Sequence, residues 1–188
     1  MANPILFAKK CSVEEFFAEY DPEVTPFFRS PSTRQTVLFG ALANRDPAVR
    51  VVIANRLLDD GADPSVVTMT GVTLLHVLLT HREFDVAGDA ALLQRLLDGG
   101  ADVNRADRRE GAPLAMVYRM PLGDEEMVPF YEVMFARDDL DLDKQAAKRV
   151  TVRETILGDG GYVRPRMQEY VRAYDAAHGE PTPGDHPR

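Results

Sequence analysis

The stretch LLDGGADVNRAD, Leu96 to Asp107, repeats in altered form the stretch LLDDGADP, Leu57 to Pro64. The two copies begin 39 residues apart, which is a spacing at which helical units stack into a solenoid. In each copy a leucine pair precedes a glycine, Gly61 or Gly100, that can adopt the left-handed conformation with which helices end. The repeat therefore predicts a chain built from successive helix-loop units.

Helix starts lie at matching positions before the two copies. Asp46-Pro47 precedes a segment whose apolar residues recur every three or four positions, as they do on one face of a helix. Thr36 and Thr73 are placed to cap an earlier helix in each unit. Each unit is therefore expected to contain two antiparallel helices and a loop.

The middle unit resembles the ankyrin repeat, whose consensus joins G-x-T-P-L-H-x-A-A to L-L-x-x-G-A-D-V-N. GVTLLH, residues 71 to 76, and LLDGGADVN, residues 96 to 104, match these two motifs. The unit before it keeps the threonine and LLDDGAD, and the unit after it has APLA, residues 112 to 115, in place of T-P-L-H. The resemblance implies an all-α ankyrin-repeat solenoid of stacked antiparallel helix pairs with N- and C-terminal capping helices. It also implies that His76 is a scaffold residue, which hydrogen-bonds the loop and the capping threonine.

The resemblance divides the chain into four segments. Residues 1–33 are expected to form an N-terminal cap, which opens with a capping box at Ser12-Val13-Glu14-Glu15. Residues 34–152 would hold about three repeats, 153–177 a degenerate C-terminal repeat starting near Thr155, and 178–188 a disordered tail. The units exceed the family's usual length, and THREFDVAGDA, residues 80–90, and MPLGDEEM, residues 120–127, are the loops expected to take up the excess.

Composition argues against several classes of function. A formal net charge of −8 disfavours nucleic acid as a partner, because phosphate binding needs clustered cations. The chain has no 18-residue apolar run and no apolar signal segment near its start, so a cytoplasmic protein without membrane contact is expected. Cys11 is the single cysteine, which leaves no internal disulfide and no multi-cysteine zinc site.

The sequence contains no complete motif for catalysis, metal binding or cofactor binding. His76 and His81 have no cysteine pair to complete a zinc site, and no nucleophile motif accompanies them. DLDLDK, residues 139 to 144, begins like a calcium loop but lacks the glycine at its sixth position and the glutamate at its twelfth. We therefore expect no metal, no cofactor and no enzyme activity, although an enzyme with an unrecognised site remains the third hypothesis.

The candidate binding residues follow from the solenoid that the resemblance implies. In such a stack the loop tips and the inner helices form a concave binding strip. An acidic run in the third inter-helix loop is added because it could steer a cationic partner. For Met116 a place in the core is the alternative, and for Asp124 capping of the following helix. The partner-binding residues predicted are Met69, Thr80, His81, Arg105, Arg108, Arg109, Met116, Arg119, Asp124, Glu125 and Glu126.

The resemblance implies a non-enzymatic protein–protein interaction module. With 18 arginines against 4 lysines the composition is typical of a GC-rich bacterial genome, and a small acidic bacterial ankyrin protein is similar to the immunity proteins that neutralise polymorphic toxins. The first hypothesis is thus a cytoplasmic inhibitor, monomeric when free, that binds and neutralises a cognate toxin or enzyme, with a cationic toxin as partner. A general ankyrin adaptor joining host proteins is the alternative.

Overall fold

The computed structural model describes residues 3–147, 150–158 and 163–179. This part of the chain is mostly α-helical, which confirms the helical fold class expected from the sequence. The helices are α1 Pro4–Ala8, α2 Val13–Glu19, α3 Val37–Leu42, α4 Pro47–Asp59, α5 Leu74–Leu79, α6 Val86–Asp98, α7 Pro113–Arg119, α8 Val128–Phe135, α9 Val152–Leu157 and α10 Pro165–His178. The strands are β1 Gln145–Ala147 and β2 Val150–Thr151, which pair antiparallel.

The helices of the described segments stack in two rows. The inner row runs α1, α3, α5, α7, α9, in which each helix contacts the next, and the outer row runs α2, α4, α6, α8, α10 in the same way. Apolar residues between the rows, from Ala8 at one end to Tyr174 at the other, form one continuous core. Each unit thus buries its helices against the following unit.

A closed loop precedes each inner helix from α3 to α9. Backbone bridges close the first three loops, at Arg29 and Thr36, Val67 and Thr73, and Asp107 and Gly111, and the β1–β2 pair closes the fourth. Backbone hydrogen bonds join the first loop to the second, from Met69 N to Thr33 O at 3.1 Å, and the end of the third to the fourth, from Ala112 N to Gln145 O at 2.9 Å. The loops before the inner helices are thus joined in two pairs. We call residues 105–111, the third of these loops, the finger loop.

Several helix signals read from the sequence are confirmed. The Ser12 capping box is complete, and the carboxylate of Asp46 accepts hydrogen bonds from the first turn of α4. Gly61 and Gly100 have φ values of 89° and 98°, so both adopt the left-handed conformation in which a side chain would be strained. Thr73 caps α5, but the Thr36 hydroxyl is buried and lacks a partner among the described residues.

Three details of the sequence prediction are wrong. The last inner helix is capped by Thr151, whose hydroxyl and the Glu154 carboxylate form a capping box, so the helix begins before Thr155. The 80–90 stretch is only partly a loop, because Asp85 caps α6 and the helix starts at Val86. The β1–β2 pair is an addition to an otherwise helical chain. Of the expected tail, His178 ends α10 and residues 180–188 lie outside the described residues.

Two buried arginines join neighbouring parts of the stack. Arg50 on α4 donates from Nε and Nη2 to the Asp89 carboxylate on α6, at 2.9 Å and 2.6 Å, with both side chains fully buried. Arg164, before α10, donates to the carbonyl oxygens of Tyr118, Met120 and Leu122. The first contact ties one unit to the next, and the second ties α10 to the end of α7.

Candidate functional site

The inner row carries a groove beside the finger loop. It consists of two cavities of about 430 Å³ and 580 Å³, which share Thr80, His81 and Glu110 in their walls. We call the two together the inner groove. The first cavity is also lined by Leu79, Arg82, Met116, Arg119, Met120 and Pro121, and the second by Lys9, Ala43, Thr70, Val72, His76, Val77, Asp107, Arg108 and Arg109.

Apolar side chains form the floor of the inner groove. Leu79, Met116 and Met120 all lie in the first cavity and are buried, with Met116 only 4% exposed. Met116 therefore has the core position that was the alternative to a partner contact, although it still lines the first cavity. The physical reason is its place on α7, where every residue from Pro113 to Tyr118 is packed against neighbouring elements.

Thr80 and His81 lie at the centre of the inner groove, where α5 ends. The Thr80 hydroxyl donates back to the carbonyl oxygen of His76, while the residue itself stays exposed. His81 Nε2 lies 2.7 Å from the carbonyl oxygen of Leu42 on the neighbouring inner helix. Burial lowers the pKa of His81, against the opposing effect of that hydrogen bond. Both predicted residues thus line the groove.

The finger loop is held by its own backbone and by His76. The Asp107 carboxylate accepts the backbone N–H groups of Arg109 and Glu110, and these bonds lower its pKa, the Arg109 bond most. His76 Nδ1 contacts the Thr73 hydroxyl at 2.7 Å, and Nε2 lies 3.2 Å from the Gly111 carbonyl oxygen. The scaffold role expected for His76 is confirmed by these contacts.

Three predicted arginines border the inner groove. Arg108 and Arg109 project from the turn of the finger loop and are exposed. Arg119, at the end of α7, donates to the carbonyl oxygen of Glu110 and lies 3.8 Å from the Glu110 carboxylate. The finger loop and α7 are thereby fixed to each other, so the arginines are presented from a supported edge.

The acidic run of the third inter-helix loop is used within the chain. Asp124 accepts the Tyr131 hydroxyl at 2.8 Å and the backbone N–H of Arg166 at 2.7 Å. It thus caps α10 and not the helix that follows it, whose N-cap Met127 makes no side-chain bond. Glu125 lies 3.4 Å from the Arg166 side chain, and Glu126 accepts the Gly123 N–H at 2.8 Å. Asp124 thus has a structural role, whereas Glu125 and Glu126 are exposed and stay predicted partner contacts.

Not every predicted residue lies in the inner groove. Met69 is 68% exposed at the tip of an earlier loop, and Arg105 is exposed at the start of the finger loop, but neither lines the two cavities. The sequence interpretation missed Lys9, Thr70, Arg82 and Glu110, which do line them. Arg82 directly follows His81, so recognising the end of α5 as a groove wall would have identified it.

Within the described ranges, no group of three or more His, Cys, Asp or Glu side chains is arranged to hold a metal ion. Cys11 is buried, and burial raises the pKa of its thiol. None of the described helices is long and apolar enough to cross a membrane.

Comparison with known proteins gives a match in structure. No protein-family model matches the chain, and no curated protein matches its sequence. A crystal structure of a functionally unknown protein from Leptotrichia buccalis C-1013-b is similar, with a TM-score of 0.75, 20% sequence identity and 96% of each chain covered. At this identity the likeness concerns the fold alone, which the chain therefore shares over nearly its whole length.

Proposed function

We propose that the chain is a non-enzymatic protein-binding module that receives a segment of its partner in the inner groove. The observation that carries the proposal is the continuity of the two cavities through Thr80, His81 and Glu110. Buried apolar side chains lie beneath this groove and a hydrogen-bonded loop lies beside it. A groove that is already formed before binding needs little further ordering, so little of the binding free energy is lost to ordering the site.

We further propose that the fold is an ankyrin-type solenoid. The N-caps of the inner helices are Thr36, Thr73, Ala112 and Thr151, at intervals of 37, 39 and 39 residues. Regular spacing, two helix rows and a stack of loops are what such a repeat requires. Because the last inner helix has its N-cap at Thr151 and not at the predicted Thr155, the last interval equals the one before it. This equality supports the proposal.

Among protein-binding modules, we propose the inhibitor role, in which a cytoplasmic monomer neutralises a toxin or enzyme. The resemblance to immunity proteins supports it, together with a groove of a size suited to one segment of one partner. The expected cationic character of that partner depended on the acidic loop. Since those carboxylates have internal contacts, the groove itself is the better guide to the partner's charge.

Groove obstruction tests the proposal. Thr80 lines both cavities and is exposed, so Thr80→Tyr places a bulky neutral side chain between them. Ala91→Tyr is the matched control, because Ala91 is exposed on the outer helix α6. Tagged full-length protein and both variants would be used to capture partners from the organism that encodes the chain, followed by mass spectrometry.

The proposal predicts one stoichiometric partner that Ala91→Tyr retains and Thr80→Tyr loses, with both variants folded by circular dichroism. The inhibitor role further predicts that adding the chain abolishes the toxic or enzymatic activity of that partner. Retention of the partner by Thr80→Tyr would exclude the groove as the binding site. Many partners from unrelated pathways, all displaced by Thr80→Tyr, would favour the adaptor.

A further inference from the structure

The inner groove has a charge opposite to that of the chain. Five cationic side chains, Lys9, Arg82, Arg108, Arg109 and Arg119, line it against the two carboxylates of Asp107 and Glu110. The whole chain has a formal net charge of −8. The groove is thus a local positive region on an acidic protein, and such a region directs where a charged partner binds.

Most of these cations lack a carboxylate of their own. Among the described residues, Lys9, Arg82, Arg108 and Arg109 form no ion pair, whereas cations outside the groove such as Arg95, Arg137 and Arg153 do. Adjacent like charges without counter-charges repel one another in the free protein. An anionic ligand would relieve that repulsion, whereas a cationic ligand would increase it.

The two carboxylates of the inner groove are already engaged. Asp107 accepts backbone N–H groups of its own turn, which hold its carboxylate in place and leave it negatively charged. Glu110 is the carboxylate next to Arg119. With five cations against these two carboxylates, 5 − 2 = 3, the side chains that line the inner groove have a net charge of +3.

We infer that the inner groove binds a short acidic segment of the partner protein, through carboxylates paired with the arginines of the finger loop and of the α5 end. This inference rests on the proposed function of the groove. Arginine recognises carboxylates with two parallel hydrogen bonds. A nucleic acid suits the site less well, since phosphates that extend beyond a groove of this size meet a chain whose formal net charge is −8.

Chemical-shift mapping of the full chain tests this inference. The probes are hexaglutamate, hexaglutamine and hexalysine peptides with blocked ends, and hexathymidylate DNA. Hexaglutamate is expected to shift the amide signals of Thr80, Arg82, Arg108 and Arg109 saturably at low salt, with affinity falling at about 0.3 M salt because exposed charges are screened. Hexaglutamine and hexalysine should leave these signals in place.

A matched pair of variants locates the site. Arg108→Ala/Arg109→Ala removes two exposed groove cations, and Arg166→Ala/Arg172→Ala removes two cations from α10 with the same change in net charge. The first should weaken hexaglutamate binding about three- to thirtyfold, given the usual strength of exposed ion pairs, and the second less than about twofold. Equal effects of the two variants, shifts outside the groove or no saturable shift would overturn the inference. Stronger groove shifts with hexathymidylate would overturn it in favour of nucleic acid.

This result is separable from the proposed function. If Thr80→Tyr loses the captured partner while Arg108→Ala/Arg109→Ala keeps it and hexaglutamate does not bind, the groove is a protein site of another chemistry. If Thr80→Tyr keeps the partner, the proposed function itself fails. Loss of the partner in both variants, with hexaglutamate competing for it, supports both.

Discussion

The buried pair of Arg50 and Asp89 is expected to hold the first two units together. Besides its two bonds to Asp89, Arg50 donates to the carbonyl oxygens of Asn44 at 2.9 Å and Glu83 at 3.1 Å. Asp89 also accepts the Asp85 N–H at 3.0 Å. The pair thus connects α4, α6 and both adjoining loops. We predict that breaking it by Arg50→Met destabilises the chain severely.

The magnitude follows from burial. Removing one partner of a fully buried ion pair leaves an uncompensated charge and typically costs about 3–5 kcal/mol, a large part of the 5–15 kcal/mol that stabilises a domain. Asp89→Leu should cost a similar amount. The double variant Arg50→Met/Asp89→Leu removes both charges and should cost only about 1–3 kcal/mol, for the Asn44 and Glu83 carbonyl oxygens and the Asp85 N–H that lose their partners.

Urea unfolding followed by circular dichroism measures these differences, and a control comes from the same two helices. Arg95 on α6 pairs with Asp59 on α4 at 2.7 Å, but these side chains are 38% and 61% exposed. Arg95→Met should therefore cost less than about 1 kcal/mol. If Arg50→Met costs no more than Arg95→Met, or if the double variant equals the sum of the singles, the pair does not connect the units as described.

Three further predictions concern stability. Gly111→Ala should cost more than Gly100→Ala, because both residues have positive φ but only at Gly111 would the new Cβ meet a backbone oxygen, that of Ala146; equal urea midpoints would contradict this. Burial lowers the pKa of His76 and His81 below the ordinary value of 6.5, so the unfolded chain binds more protons and stability should fall as the pH drops below about 6.5. His76→Gln should reduce that slope, and an unchanged slope would refute the assignment. Asp124→Ala should cost about 2–3 kcal/mol because the Tyr131 hydroxyl and the Arg166 N–H lose their acceptor; the conservative Asp124→Asn should cost less, and equal losses would argue against this role.

Local signals in the sequence predicted much of the helical architecture. Caps such as Ser12, Asp46 and Thr73 bond to backbone groups within a few residues. The start of a helix can therefore be predicted from neighbouring residues in the sequence. Left-handed glycines have the same property. Thr155 was wrongly taken as a helix start. It lies inside the helix, where its hydroxyl donates one turn back to the Thr151 carbonyl oxygen. Thr151 with Glu154 was the better capping box.

Contacts between units were not predictable in this way. Asp89 lay in a stretch that looked like a loop, yet it is fully buried on α6 and paired with a residue 39 positions earlier. Arg164 is another case, because its acceptors are backbone oxygens more than 40 residues away. Charged residues are exposed to solvent on average. Only the packing of one unit on another decides which of them are buried.

In the candidate site, too, some residues were predictable from local sequence signals and others were not. Groove residues on the finger loop and at the helix ends, such as Arg109 and Thr80, followed from position within the repeat. The acidic loop was chosen by composition, and two of its carboxylates, Asp124 and Glu125, contact Arg166 on α10. If the groove is the binding site, as we propose, its cations predict an acidic partner segment. Composition describes the chain as acidic, but binding depends on the local charge of the surface that has room for a ligand, and here that charge is positive.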